Sequence, residues 1–251
     1  MEYALGLLSG YSVWQLGAAL AATLGSAFVR GLTGFGMAIL LVPILALALP
    51  PVESVIVANF LSLFIGLVEI KRLVTGAEKT AWSLSLLVLL FTPLGLYALA
   101  VTSPDIARFV IAMIALSAFV AILIPRKNQS APGRAATGVV GLISGLMTGY
   151  AGMPGPPVVP YYVGRNLPRE TAKTSMMLVF TVAGLAGIAS AIVLGLVRLE
   201  LALLAAALFP AVLIGNKIGH GASGQISDTA WRIFVGLVLA GAAVAALLRL
   251  L

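Results

Sequence analysis

The sequence predicts an all-α polytopic membrane protein made of two inverted-topology repeats, each of about five apolar segments, with broken or re-entrant helices at two Gly-rich motifs. Composition, the lengths of the apolar runs and the pair of motifs carry that prediction. Of 251 residues, 61% are hydrophobic and 9% charged, with a mean hydropathy of +1.13. A soluble domain is about 45–50% apolar and about 25% charged. The apolar runs are of helix length and lack the ~10-residue alternation of a membrane β-barrel.

Breaking the chain at Gly/Pro clusters and charges gives ten segments: 4–29, 34–49, 54–70, 82–101, 106–124, 136–150, 156–164, 174–197, 199–216 and 229–248. Spanning a bilayer takes ~17–25 helical residues. Segments 34–49, 136–150 and 156–164 are short, and they flank the motifs Arg30-Gly31-Leu32-Thr33-Gly34-Phe35-Gly36 and Thr148-Gly149-Tyr150-Ala151-Gly152-Met153-Pro154-Gly155. Short, Gly/Pro-interrupted segments in corresponding places of two halves point to a transporter's binding site.

An offset of 117 residues pairs Pro43 with Pro160, Pro51 with Pro168, Glu53 with Glu170 and Pro93 with Pro210. The motif glycines need 118, and beyond Pro210 a gap of about seven aligns Arg108 with Arg232. The expected organisation is a first transmembrane repeat over 1–124, a polar cytoplasmic connector over 125–135, and a second repeat over 136–251.

Charge sets the expected orientation. Of the fifteen Lys and Arg residues, twelve fall on one side (Arg30, Lys71, Arg72, Lys79, Arg126, Lys127, Arg134, Arg165, Arg169, Lys173, Lys217, Arg232) and three on the other (Arg108, Arg198, Arg249). The richer side is read as cytoplasmic, which puts both termini outside. The first motif then points in from the cytoplasmic face and the second from the outer face, and the two can meet near the midplane. Met1-Glu2-Tyr3 carries no basic region or cleavage pattern, so the first helix is expected to act as its own insertion signal.

A helix restarting after a Gly turn presents unpaired N–H groups and a partial positive charge. Two such termini facing each other would make a main-chain anion site. The candidate substrate-binding residues are Arg30, Gly31, Thr33, Gly34, Gly36, Asn59, Thr148, Gly149, Tyr150, Gly152, Gly155 and Ser175. The competing reading of the glycines is close helix packing. Arg30 is either an anion ligand or a topology signal. Asn59 is either an interhelical hydrogen bond or a pathway residue. Lys173, Lys217 and His220 fit snorkelling at helix ends, with His220 also a candidate proton relay. Glu53 and Glu170 suit the first turn of a helix.

With no cysteine, one histidine and scattered carboxylates, the chain offers no metal-ligand spacing. It has no nucleotide-binding loop either, so an enzyme, a bound cofactor and direct pumping by ATP are not expected. The net charge of +7 is explained by topology rather than by nucleic acid.

At its motifs the sequence resembles the TauE/SafE family of bacterial sulfite and organosulfonate exporters. The resemblance rests on GLTGFGMAILLVP and its degenerate copy GYAGMPGPPVVP, on the helix starts PPVESVIVANF and LPRETAKTSMM, on GNKIGHG, and on the closing helix after Arg232. The second motif departs from the pattern at Pro154, Pro156 and Pro157. The resemblance implies a multi-pass carrier in the bacterial plasma (inner) membrane that exports sulfite, sulfoacetate or related organosulfonates by alternating access. Its partners would be the small anionic substrate and the bilayer, with protons left open as a coupling ion. An anion channel using the motifs as a filter, or a non-transporting membrane scaffold, are the alternatives.

Overall fold

The computed structural model describes residues 10–33, 36–123, 133–163, 165–222 and 228–248. The described residues fold into α1 (Val13–Thr33), α2 (Met37–Ala48), α3 (Pro51–Val68), α4 (Ile70–Gly76), α5 (Lys79–Val101), α6 (Pro104–Leu123), α7 (Arg134–Ala151), α8 (Gly155–Val163), α9 (Arg169–Val193), α10 (Leu199–Gly221) and α11 (Asp228–Leu248). Among them, Pro51–Val68, Lys79–Val101, Glu170–Val193 and Leu199–Gly221 are each long and apolar enough to cross a membrane. The chain is a multi-pass α-helical membrane protein. A stripe of α5 that includes Trp82, Leu86, Leu90, Leu94 and Tyr97 is exposed, as a lipid-facing surface requires.

Helix boundaries correct the expected segments where glycines sit. α1 continues past position 29 through Arg30 and Gly31 to Thr33, and α7 runs through Gly149 to Ala151. The turns come later, at Gly36 (φ +93) and Gly152 (φ +65), in left-handed backbone that favours glycine. The segment expected to end at 216 continues to Gly221, so the glycines of GNKIGHG lie inside α10. A break at Glu69 splits off α4, which the sequence reading did not anticipate. Most of the connector, with Gly34 and Phe35, lies outside the described residues.

The helical glycines let backbones touch. On α7, Gly141, Gly145 and Gly149 face Leu87, Phe91 and Thr92–Gly95 of α5; a Cβ on Gly149 would lie 2.1 Å from the Thr92 carbonyl oxygen. On α10, Gly215 and Gly219 face Leu24 and Phe28 of α1, while Gly31 of α1 faces Asn216 and His220. In both pairs the contact numbers rise together, so the helices run parallel. α3 and α9 run antiparallel: Gly66 meets Thr181, Leu63 meets Gly184 and Asn59 meets Gly187. Lipid tails are as apolar as leucine, so close packing through small residues takes over the role hydrophobic burial plays in water.

α2 and α8 are too short to span. At about 1.5 Å per residue, their 12 and 9 residues cover roughly 18 and 14 Å against a ~30 Å hydrocarbon core. Each is fixed at its far end. Gln15 donates to the Ala48 carbonyl (2.9 Å) and Arg108 Nε to that of Ala46 (2.7 Å), which satisfies the last turn of α2. Beyond α8, Arg165 pairs with Glu78, Tyr161 bonds Thr137 (2.9 Å) and Tyr162 bonds Thr80 (2.9 Å).

Two further ion pairs join distant parts of the chain. Glu53, in the first turn of α3, binds Arg198 just before α10 and accepts from Tyr11 at 3.2 Å. Glu170, in the first turn of α9, binds Arg72 at 2.8 Å.

Candidate functional site

The turns at Gly36 and Gly152 border one central cavity of about 50 Å³. The N-terminal turn of α2 (Met37, Ala38, Ile39) forms one wall, and Met153, Pro154 and Gly155 at the start of α8 form another. α3 contributes Asn59, Ser62, Ile65 and Gly66, and α9 contributes Met177, Phe180, Thr181 and Gly184. Asn59, Ser62 and Gly66 recur at three- and four-residue spacing, as do Met177, Thr181 and Gly184, so each set occupies one helix face.

The cavity is mostly apolar, and its polar groups are few and specific. The first N–H groups of α2 have no intrahelical acceptor, and Gly36 supplies no side-chain cap. α8 is weaker as a donor, because Pro154, Pro156 and Pro157 carry no N–H. Gly155 retains one. Asn59 is 2% exposed, and its Nδ2 has no hydrogen-bond partner among the described residues. Thr181 donates to the Met177 carbonyl at 2.8 Å, which leaves its oxygen free to accept only.

Arg30 is the one charged residue on this wall. It is 9% exposed, and it also lines a second, larger space of about 350 Å³, the vestibule, with Gly31, Glu69, Arg72, Lys173, Met177, Asn216 and His220. Arg30 Nη1 donates to Asn216 Oδ1 at 2.9 Å, and Nη2 lies 3.4 Å from Glu69 Oε1. The other Glu69 oxygen accepts from Arg72 at 3.0 Å. Arg30 and Met177 are the residues common to both spaces, so they stand at the passage between them.

Of the expected site residues, Arg30, Gly36, Asn59, Gly152 and Gly155 line the cavity, and Gly31 borders the vestibule. Four others lie elsewhere. Thr148 is buried and donates to the Ser144 carbonyl (2.7 Å). Gly149 packs on α5, and Tyr150 packs against the apolar core. Ser175 accepts from the Glu78 N–H (3.0 Å) and donates to the Thr171 carbonyl (2.7 Å), tying α9 to the start of α5. The side chain of Thr33 and all of Gly34 lie outside the described residues. Sequence reasoning missed Ser62, Gly66, Thr181, Gly184 and Glu69, although their helical spacing was available. It assigned Lys173 and His220 to snorkelling; both line the vestibule.

Two glycine turns that border one cavity beside a buried arginine suit a membrane transporter. A family model described as "Sulfite exporter TauE/SafE" matches residues 18–246, and the chain belongs to that family of membrane transporters for sulfur-containing anions. No curated protein and no solved structure matches the chain significantly.

Proposed function

We propose that this protein is a carrier that exports small sulfur-containing anions, sulfite or an organosulfonate such as sulfoacetate, by alternating access around the central cavity. The observation that carries the reading is that the two Gly turns, at Gly36 and Gly152, border one cavity beside a buried arginine. A cradle of α2 N–H groups, Arg30, Ser62 and the unpaired Asn59 amide suits an oxyanion. The Gly155 N–H adds one donor from the second half, so the cradle is asymmetric.

The packing supports two inverted repeats, 1–124 and 136–251, joined by the connector at 125–135. Exchanging the halves maps α1 on α7, α3 on α9 and α5 on α10. The α5–α7 contact then becomes the α10–α1 contact, and both pairs run parallel. α3 and its counterpart α9 run antiparallel, as inversion demands. The ion pairs Glu53–Arg198 and Glu170–Arg72 exchange in the same way. With Lys71, Arg72, Lys173 and Lys217 at the vestibule end, the positive-inside rule makes that end cytoplasmic. A membrane potential negative inside then favours anion exit by about 2.3 kcal/mol per charge per 100 mV, enough to drive export without a coupled ion.

Reconstitution tests the reading. Proteoliposomes loaded with sulfite should release it with saturable kinetics, faster when an imposed potential makes the cytoplasmic compartment negative. Flux that rises linearly with concentration would identify a channel, and the absence of sulfite or sulfoacetate flux would refute anion transport.

A further inference from the structure

The vestibule carries more charge than a passage needs. Glu69 is shared between Arg30 and Arg72, and the second arm of Arg72 is held by Glu170. Lys173 has no carboxylate partner among the described residues, and His220 stands on the α10 wall. Three cations therefore meet two carboxylates here, which leaves one positive charge uncompensated, that of Lys173. The central cavity differs in kind: one cation, Arg30, amid Met37, Met153, Met177 and Phe180. A small dianion keeps much of its hydration in a wide polar space and would lose it against thioether and phenyl walls.

We infer that the vestibule is a second anion-binding site, which holds a doubly charged oxyanion of the sulfite or sulfate class between Lys173, Arg72 and Arg30. Lys173 supplies the uncompensated charge. Arg30 supplies the exchangeable one, because an anion that takes its Nη2 away from Glu69, at 3.4 Å, leaves that carboxylate still paired with Arg72 at 3.0 Å. No buried charge is stranded by the swap, so it avoids the penalty that breaking an isolated ion pair incurs. Arg30 also lines the central cavity, so the same guanidinium can pass an anion inward. Only this last step rests on the transport reading; the binding site stands without it.

Isothermal titration of the full chain in phosphatidylcholine nanodiscs, with sulfate as probe, tests the site. Wild-type protein is expected to bind one sulfate in the vestibule, with an affinity that falls steeply as salt rises from about 50 to about 500 mM, as the Debye length shrinks. Lys173→Gln should weaken sulfate binding about tenfold or more while its Tm stays within a degree or two of wild type. Gly138→Ala, on α7 away from both spaces, should leave sulfate binding intact. Undetectable sulfate binding, or binding unchanged by Lys173→Gln, would overturn the proposal. So would its loss when phosphatidylglycerol replaces part of the phosphatidylcholine, which would make a lipid phosphate the occupant. Lys173-dependent sulfate binding in a protein without sulfite flux would retain this site and remove the transport reading; flux without such binding would do the reverse.

Discussion

Arg30 shows how one residue acquires meaning only from its surroundings. In the sequence it was equally an anion ligand and a topology marker. In the fold it is buried, it is held by Asn216 and Glu69, and it borders two spaces at once. Its planar fork meets both partners, which a lysine's single ammonium at the same backbone position cannot do. Hydrogen bonds to charged groups contribute about 1.5–3 kcal/mol, and about 1.4 kcal/mol is a tenfold change in affinity. Arg30→Lys is therefore expected to raise the KM for sulfite flux about tenfold, and Arg30→Gln further, in protein that retains its thermal stability. An unchanged KM in both would remove Arg30 from the anion path. The motif glycines divide in the same way. Gly31 and Gly149 permit close packing, whereas Gly36 and Gly152 make left-handed turns. Sequence spacing identified both groups and could not separate them, because the helix ends that distinguish them depend on what each helix packs against.

At the scale of elements, the parallel contacts α5–α7 and α1–α10 hold the proposed halves together through glycine. Within α7 the claim has an internal control. Gly149 has backbone within 2.1 Å of where a Cβ would sit, while Gly138 has nothing within 4 Å. Gly149→Ala should destabilise the protein by about 1–3 kcal/mol through overpacking. Gly138→Ala should be neutral or stabilising by up to about 1 kcal/mol through helix propensity. Thermal melts of the two variants in one detergent read the difference directly; equal shifts would contradict the packing account. Most helix positions were legible in the sequence, because apolar length and Pro/Gly punctuation set them. The polar face of α3 was not extracted, although Asn59, Ser62, Gly66 and Glu69 follow one another at helical spacing. Serine and glycine are common in membrane helices for packing reasons, so the stripe acquires a function only beside α9.

For the whole molecule, the arrangement that matters is a central cavity with an ion pair between the proposed halves at each end. Glu53–Arg198 is reinforced by Tyr11, whereas Glu170–Arg72 lies beside the vestibule, and the buried Glu78–Arg165 pair also links the proposed halves. The alternating-access reading makes the Glu53 and Glu170 pairs opposed latches; both are formed here, and the vestibule, which shares Arg30 and Met177 with the cavity, marks the more accessible end. The proposed repeat rests on the offsets of Pro43, Pro51 and Glu53 in sequence, but the meeting of the Gly36 and Gly152 turns at one cavity needed three dimensions. The chain contains no cysteine, so one introduced at Ser62 can report on the cavity without background. The most direct measurement is labelling of S62C in oriented proteoliposomes by a membrane-impermeant maleimide applied to each face in turn. Sulfoacetate serves as the competing anion, because sulfite itself consumes maleimide. The account predicts rapid labelling from the vestibule face, slow labelling from the other face that accelerates in Glu53→Gln, and protection by sulfoacetate from both. Labelling from neither face, or labelling that sulfoacetate leaves unchanged, would contradict an anion site at the meeting of the two glycine turns.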